Sequence, residues 1–271
     1  MQKRIITGII GLPVVIFLVH FGGWPLLLMC LVLSLIGLRE LYRAFAKKDK
    51  SVHAVGYIFT TLYFVAVFGA GVGQWLVIAL ALFIVFVQVF LVLKYNKLAI
   101  EDVITTVYGF LYVPFLVSFI VLTRQHTFGW YFVWLVFTSA FGCDTFAYMT
   151  GVSIGKRKLV NTPSPSKSVE GLVGGILGAG LVGFVYGFFI VRFAAPAVDN
   201  FIVIAVVVSM IGGVASIFGD MAASAIKRRT GIKDFGNLLP GHGGVMDRAD
   251  SILLVAPVVY LAVNILNCFF G

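Results

Sequence analysis

Asp247 and Asp250 stand three positions apart in the stretch LLPGHGGVMDRADS, residues 238–251, with Arg248 between them and His242, Gly243 and Gly244 just ahead. On a helix, positions i and i+3 share a face, so the two carboxylates repel each other unless a cation joins them. The run immediately upstream, SAIKRRTGIKDFGN, adds Ser224, Lys227, Arg228 and Lys233. Ammonium and guanidinium groups of this kind hold phosphate oxygens. The Pro-Gly-His-Gly-Gly turn brings backbone donors to the start of a helix, an arrangement that favours anions. Acids that can share a divalent cation thus stand beside bases that can hold phosphate. His242 reads as a phosphate donor or a loop-ordering hydrogen bonder ahead of any role as a proton-transfer catalyst, and Arg248 either ties down a carboxylate or binds phosphate.

Two further acids lie inside apolar runs. SAFGCD ends at Asp144 and SIFGD ends at Asp220, each about seven residues before a polar loop. At about 1.5 Å rise per residue, each carboxylate is sunk roughly 10 Å below the end of its helix. An ionised acid at that depth costs a few kcal/mol unless it meets a cation, a partner or water. One reading is an interhelical salt bridge or a protonated pair; the other is a metal. Oxygen donors without neighbouring His or Cys suit Mg²⁺ or Mn²⁺ rather than zinc. Asp144 and Asp220 are therefore a candidate pair of ligands.

The loop GVSIGKRKLVNTPSPSKSVEGLVGG, residues 151–175, supplies Lys156, Arg157, Lys158 and Lys167, and the hydroxyls of Ser164, Ser166 and Ser168 just before a helix opens near Glu170. Basic residues there also serve membrane topology. The later glycines of GLVGGILGAG, with Gly183 and Gly187, read foremost as a tight helix-packing seam.

These residues need a scaffold, and composition defines it. The chain has 271 residues, 61% hydrophobic and 11% charged, with a mean hydropathy of +1.06. Soluble domains are roughly 45–50% apolar. An all-α polytopic membrane protein is expected, with nine transmembrane helices near residues 5–22, 24–44, 53–71, 74–93, 104–123, 128–150, 170–192, 200–226 and 251–270. Each run is about 18 residues or longer, enough to cross a hydrocarbon core of roughly 30 Å. The first follows Lys3 and Arg4 without a small-residue cleavage site, and reads as a retained anchor. With the N-terminus placed in the cytoplasm, every Lys and Arg except Arg124 and Arg192 falls on the cytoplasmic side, as the positive-inside rule requires. Both long polar loops, 151–169 and 227–250, then face the cytoplasm, and the active site with them. Five spans (1–123) form an N-terminal membrane region and four (124–271) a C-terminal catalytic region. The net charge of +9 draws phosphates, nucleotides or acidic lipid, with no nucleic-acid partner expected. Cys30, Cys143 and Cys268 show no metal or disulfide spacing and read as buried thiols.

The order Ser224, Lys227, Arg228, Lys233, Asp234, Gly236, Pro240, His242, Gly243, Gly244, Asp247, Arg248, Asp250 resembles the signature of the phosphatidate cytidylyltransferase (CDP-diacylglycerol synthase) family. The run Asp144, Tyr148, Gly151, Gly155, Lys156, Ser164, Pro165, Lys167, Ser168, Glu170 and Gly171 is similar to that family too. Ala249, where a larger aliphatic is usual, and Val169, where an aromatic is frequent, are departures that bear on local packing. The resemblance extends residue by residue over the C-terminal half and by architecture over the rest. It implies transfer of CMP from CTP to phosphatidic acid, giving CDP-diacylglycerol and pyrophosphate in the inner membrane, a step of phospholipid biosynthesis. Under it, Asp220 and Asp247 anchor Mg²⁺, Asp144 and Asp250 are further ligands or support the ligands from behind, and a second cation has room because so many acids and phosphates converge. Lys227 and Arg228 act at the reacting phosphates, and Lys156, Ser164, Lys167, Ser168, Ser224, Lys233, His242, Gly243, Gly244 and Arg248 bind substrate. The bilayer is a partner and a homodimer is compatible with the sequence. Two rivals are another CTP-using lipid enzyme, such as a polyprenol kinase or an archaeal-type lipid cytidylyltransferase, and a transporter. A transporter is expected to carry acids at the bilayer midplane and inverted repeats, neither of which is evident.

Overall fold

Apolar runs of this length can satisfy their backbone polar groups inside a bilayer only by coiling on themselves. The computed structural model describes the chain except for Met1, residues 46–50, 71–73, Asn161, Ala195, Ala197, residues 239–242 and Gly271; the side chains of residues 2–10, 12, 51, 70, 74, 75 and 266–270 are also outside the description. His242 and Pro240 thus lie outside the described residues. Helices α1 (Gln2–Phe21), α2 (Gly23–Phe45), α3 (Ser51–Ala70), α4 (Gln74–Leu93), α5 (Ile100–Phe110), α6 (Leu116–Gln125), α7 (Gly129–Ile154), α8 (Val169–Ala194), α9 (Phe201–Thr230) and α10 (Met246–Phe270) follow in order. No strand occurs among the described residues. A π-helical turn, Leu111–Phe115, joins α5 to α6 in one span. Pro114 sits within it; proline has no N–H to donate and crowds the carbonyl four residues back, and the wider turn absorbs both defects.

Among the described residues eight segments are long and apolar enough to cross a membrane, and α1, with 20 residues, follows the same pattern. The chain is a polytopic α-helical membrane protein. Its helices run a few residues past the apolar stretches: α7 reaches Ile154 and α9 reaches Thr230. Asp144 and Asp220 therefore each lie ten residues before their helix ends, about 15 Å of helix.

Two compact units divide the chain. One comprises Met1–Leu122 and Thr230–Arg248, the other Thr123–Arg229 and Ala249–Gly271. In the first, aromatic side chains fill the space between helices. The Phe83 and Phe110 rings lie 4.2 Å apart, Tyr63 and Ser118 share a hydrogen bond of 3.0 Å, and Tyr42 stacks on His53 while its hydroxyl donates to the Thr106 carbonyl.

In the second unit, α7 and α8 pack along a seam of small residues. Side chains at Gly171, Gly175 and Gly178 would strike Ala147, Cys143 and Phe146 of α7, and side chains at Gly183 and Gly187 would strike Ser209 and Ile202 of α9. The glycine series is thus the packing seam foreseen from the sequence. It lets α8 lie against both neighbours, bringing the end of α7, which carries Asp144, into the same unit as the end of α9, which carries Asp220. Cys30 and Cys143 are buried free thiols.

Candidate active site

The second unit gathers most of the foreseen chemistry. The Asp144 carboxylate accepts hydrogen bonds from the hydroxyls of Ser216 on α9, at 3.2 Å, and Ser251 on α10, at 3.3 Å. Ser251 also donates its amide to the Asp250 carboxylate, 2.8 Å away. A Cβ at Gly219 would stand 2.5 Å from the Asp250 carbonyl oxygen, so the close approach of α9 and α10 requires glycine there and sets Asp220 beside Asp250. Asp144 and Asp220 feel each other's charge, as do Asp220 and Asp250, and Lys227 acts on Asp250.

The Lys167 ammonium is ion-paired with Asp220. The loop before α8 is built to present it. Lys158 and Ser168 form an antiparallel bridge, and Glu170 accepts the amides of Lys156 and Arg157 at 3.1 Å each. Ser168 is buried and takes the Gly171 amide on its Oγ, 3.2 Å away, as the cap of α8; serine is a preferred residue for that task. Ser164 and Ser224 are half-buried, Lys156 and Arg228 exposed, and Lys227 half-buried at the end of α9.

The first unit holds Lys233, Gly243, Gly244, Asp247 and Arg248. Lys233 and Arg248 are exposed. Gly243 has φ +83°, a left-handed conformation that glycine adopts without strain. The Asp247 carboxylate turns back to accept the amides of Phe235, at 2.9 Å, and Gly244, at 3.0 Å. Glu40, like Ser216 and Ser251 in the other unit, escaped the sequence reading. Glu40 of α2 is 6% exposed, and its two oxygens accept the amides of Val245, at 3.1 Å, and Met246, at 2.9 Å. The donors at 244–246 thus already face protein carboxylates. Glu40 stands between Arg39 and Arg43 near the end of α2, where an acid reads as an ion-pair partner, so residue type and spacing alone did not mark it.

Asp144, Asp220 and Asp250, with the Ser216 and Ser251 hydroxyls, make an oxygen-only donor set of the kind hard divalent cations take. By the chemistry of its donors the set fits Mg²⁺. Among the described residues no three acid, His or Cys side chains close on a common point. In this arrangement Asp220 is matched to Lys167 and Asp144 to two serines.

The model of the cytidylyltransferase family matches residues 2–266. A phosphatidate cytidylyltransferase of Bacillus subtilis is 30% identical over 270 residues, 96% of each chain. One of Staphylococcus saprophyticus is 32% identical over 264 residues, 96% of this chain and 97% of that one. The phosphatidate cytidylyltransferase of Thermotoga maritima reaches 39% identity over a shorter stretch of 157 residues, 58% of this chain and 57% of that one. A match that begins in α1 and ends in α10 takes in both units, with their acids, serines and basic loops, and on that ground the chain belongs to the cytidylyltransferase family, enzymes that transfer a nucleotidyl group.

Proposed function

We propose that this chain is a CTP:phosphatidate cytidylyltransferase of the cytoplasmic membrane with its active site facing the cytoplasm. A phosphate oxygen of phosphatidic acid attacks the α-phosphorus of CTP; a new P–O–P link forms, the bond from the α-phosphorus to the oxygen bridging to the β-phosphorus breaks, and pyrophosphate leaves with that electron pair. The nucleophile is already an anion and the leaving group is adequate, so the enzyme supplies alignment and charge neutralisation. No covalent protein intermediate is needed.

The observation that carries this reading is the gathering of Asp144, Asp220, Asp250, Ser216, Ser251 and Lys227, on helices of a membrane protein, with Lys167 of the loop before α8 in one unit. Asp144, Asp220 and Asp250 would hold Mg²⁺, and Asp247 joins the proposed ligands through its place in the sequence motif. When bound, the ion neutralises the triphosphate and the charge that builds on the leaving pyrophosphate. Lys156, Lys167, Lys227, Arg228 and Lys233 bear on the phosphates of CTP and of the lipid. The Ser216 and Ser251 hydroxyls hold the Asp144 carboxylate in place, and Ser251 links it to Asp250. The amides at 244–246 are engaged by Glu40 and Asp247, so phosphate recognition falls to side chains rather than to the opening of α10.

The orientation rests on the basic residues, which gather with the polar loops 151–169 and 227–250 and leave only Arg124 and Arg192 opposite. Relatives named phosphatidate cytidylyltransferase favour nucleotidyl transfer over the kinase and transporter alternatives. The test is product analysis: purified protein, phosphatidic acid, labelled CTP and Mg²⁺ are expected to yield CDP-diacylglycerol and pyrophosphate in equal amounts. Label in a phosphorylated polyprenol, or none in phosphatidic acid products, overturns the proposal.

A further inference from the structure

We infer that Glu40 is a positioning residue for the reaction: from α2 it fixes residue 236 and residues 244–246 about one buried carboxylate and thereby sets the orientation of Asp247. This deepens the nucleotidyl-transfer reading and rests on it for the reaction served.

Helix starts are ordinarily capped by a Ser, Thr, Asp or Asn next to them in sequence. At α10 the residues in that place are Gly244 and Val245. The acceptor comes instead from α2, 205 positions away, and each of its oxygens takes one amide. A buried carboxylate repays its desolvation only where charge and geometry are well matched; two amides at the positive end of a helix are such a match. The surroundings are cut to fit. A Cβ at either Gly236 or Gly244 would land on the Glu40 carboxylate.

Asp247 depends on the same two segments. Its carboxylate binds the amides of Phe235 and Gly244, the neighbour of one glycine that abuts Glu40 and the other glycine itself. Movement of the Glu40 carboxylate therefore moves both anchors of Asp247. Groups that orient a functional carboxylate at one remove typically carry about 10–100-fold in metal affinity or activity.

Glu40→Gln keeps the size but offers one acceptor where two amides converge. The expected result, per mole of folded enzyme, is a kcat lower by about 10–100-fold, a KM for CTP within about two-fold of the parent, and a higher Mg²⁺ requirement. Unchanged kcat, or a loss that only tracks the folded fraction, overturns the inference. Should Glu40→Gln fail to fold, the coupling between residues 40 and 244 decides. Gly244→Ala alone crowds the carboxylate; Glu40→Asp draws it back by one methylene. The double variant is expected to exceed Gly244→Ala alone in activity and in melting temperature, whereas simple addition of the two losses overturns the inference. If the parent enzyme makes no CDP-diacylglycerol, the reading of the reaction fails, and the same coupling in melting temperature still decides whether Glu40 anchors the segment.

Discussion

The Lys167 ammonium is ion-paired with the Asp220 carboxylate, so the loop between α7 and α8 delivers a cation to an acid that α9 carries well inside its length. Each partner answers the other's charge. The pair is the salt bridge that the sequence allows for an acid in an apolar run, and it joins a proposed phosphate-binding lysine to a proposed metal ligand.

Asp220→Asn keeps the shape and deletes the charge. The variant is expected to insert and purify normally and to lose about 10²–10³-fold in turnover, the usual cost of removing one well-placed charge-stabilising group. Asp144→Asn behaves similarly, and the double variant is little worse than either single one, as for residues that act as a unit. Rate against Mg²⁺ concentration, with yield and melting temperature as controls, checks this; near-normal turnover in well-folded Asp220→Asn sinks the metal assignment.

Ser216 and Ser251 are both buried and both donate to Asp144. A hydrogen bond to a charged group contributes about 1.5–3 kcal/mol. Ser216→Ala and Ser251→Ala are each expected to lower turnover by at least about ten-fold with little change in CTP affinity. Equal activity in the paired Ala variant, measured at saturating CTP, contradicts the role given to these hydroxyls.

Lys227 is half-buried and Arg228 exposed at the end of α9. Alanine at either position weakens use of low CTP in a folded protein, and Arg228→Lys still suffers because the planar fork is gone. Full activity of both Ala variants at limiting CTP reduces these residues to topological anchors.

Orientation can be read chemically. Cysteines placed at Lys158 and Lys233 are expected to react with an impermeant label only from the cytoplasm, and one at Asp199 only from outside. The reverse pattern at 158 and 199 overturns the assigned sidedness.

The glycine seam that α8 forms with α7 and α9 predicts a failure of assembly rather than of chemistry. Gly178→Leu drives a side chain into Phe146, and Gly183→Leu into Ser209. Overpacking of this kind costs about 1–3 kcal/mol or more. Loss of folded yield is expected, with the surviving fraction keeping its Mg²⁺ dependence; detergent-solubilised yield and specific activity separate the two.

Hydropathy made the spans legible because each apolar run exceeds what a soluble core helix needs. Helix ends were less so. Lys227, Arg228 and Arg229 close the last turn of α9, where cations favour the helix dipole, and Asp247 opens α10; polar residues thus extend helices beyond the stretches that hydropathy marks. The acids and lysines of the second unit, with Ser164, Ser168 and Ser224, were nameable from residue type and spacing, but Ser216, Ser251 and the pairings were not. Ser216 meets Asp144 across 72 positions and Glu40 meets Met246 across 206, distances at which local periodicity carries no information. The π-helical turn at Pro114 likewise follows from a local proline whose consequence only the packed helix reveals.

The first unit takes its last segment, Thr230–Arg248, from a stretch that follows α7, α8 and α9 in the sequence, and this sets an order on biogenesis. Glu40 leaves the ribosome 205 residues before Val245. At about 5–20 residues per second, roughly 10–40 s pass in which the acid has been made and its amides have not. During that interval the Glu40 carboxylate lacks the two amides it accepts in the folded unit, and the first unit closes only once residues 245 and 246 have been made.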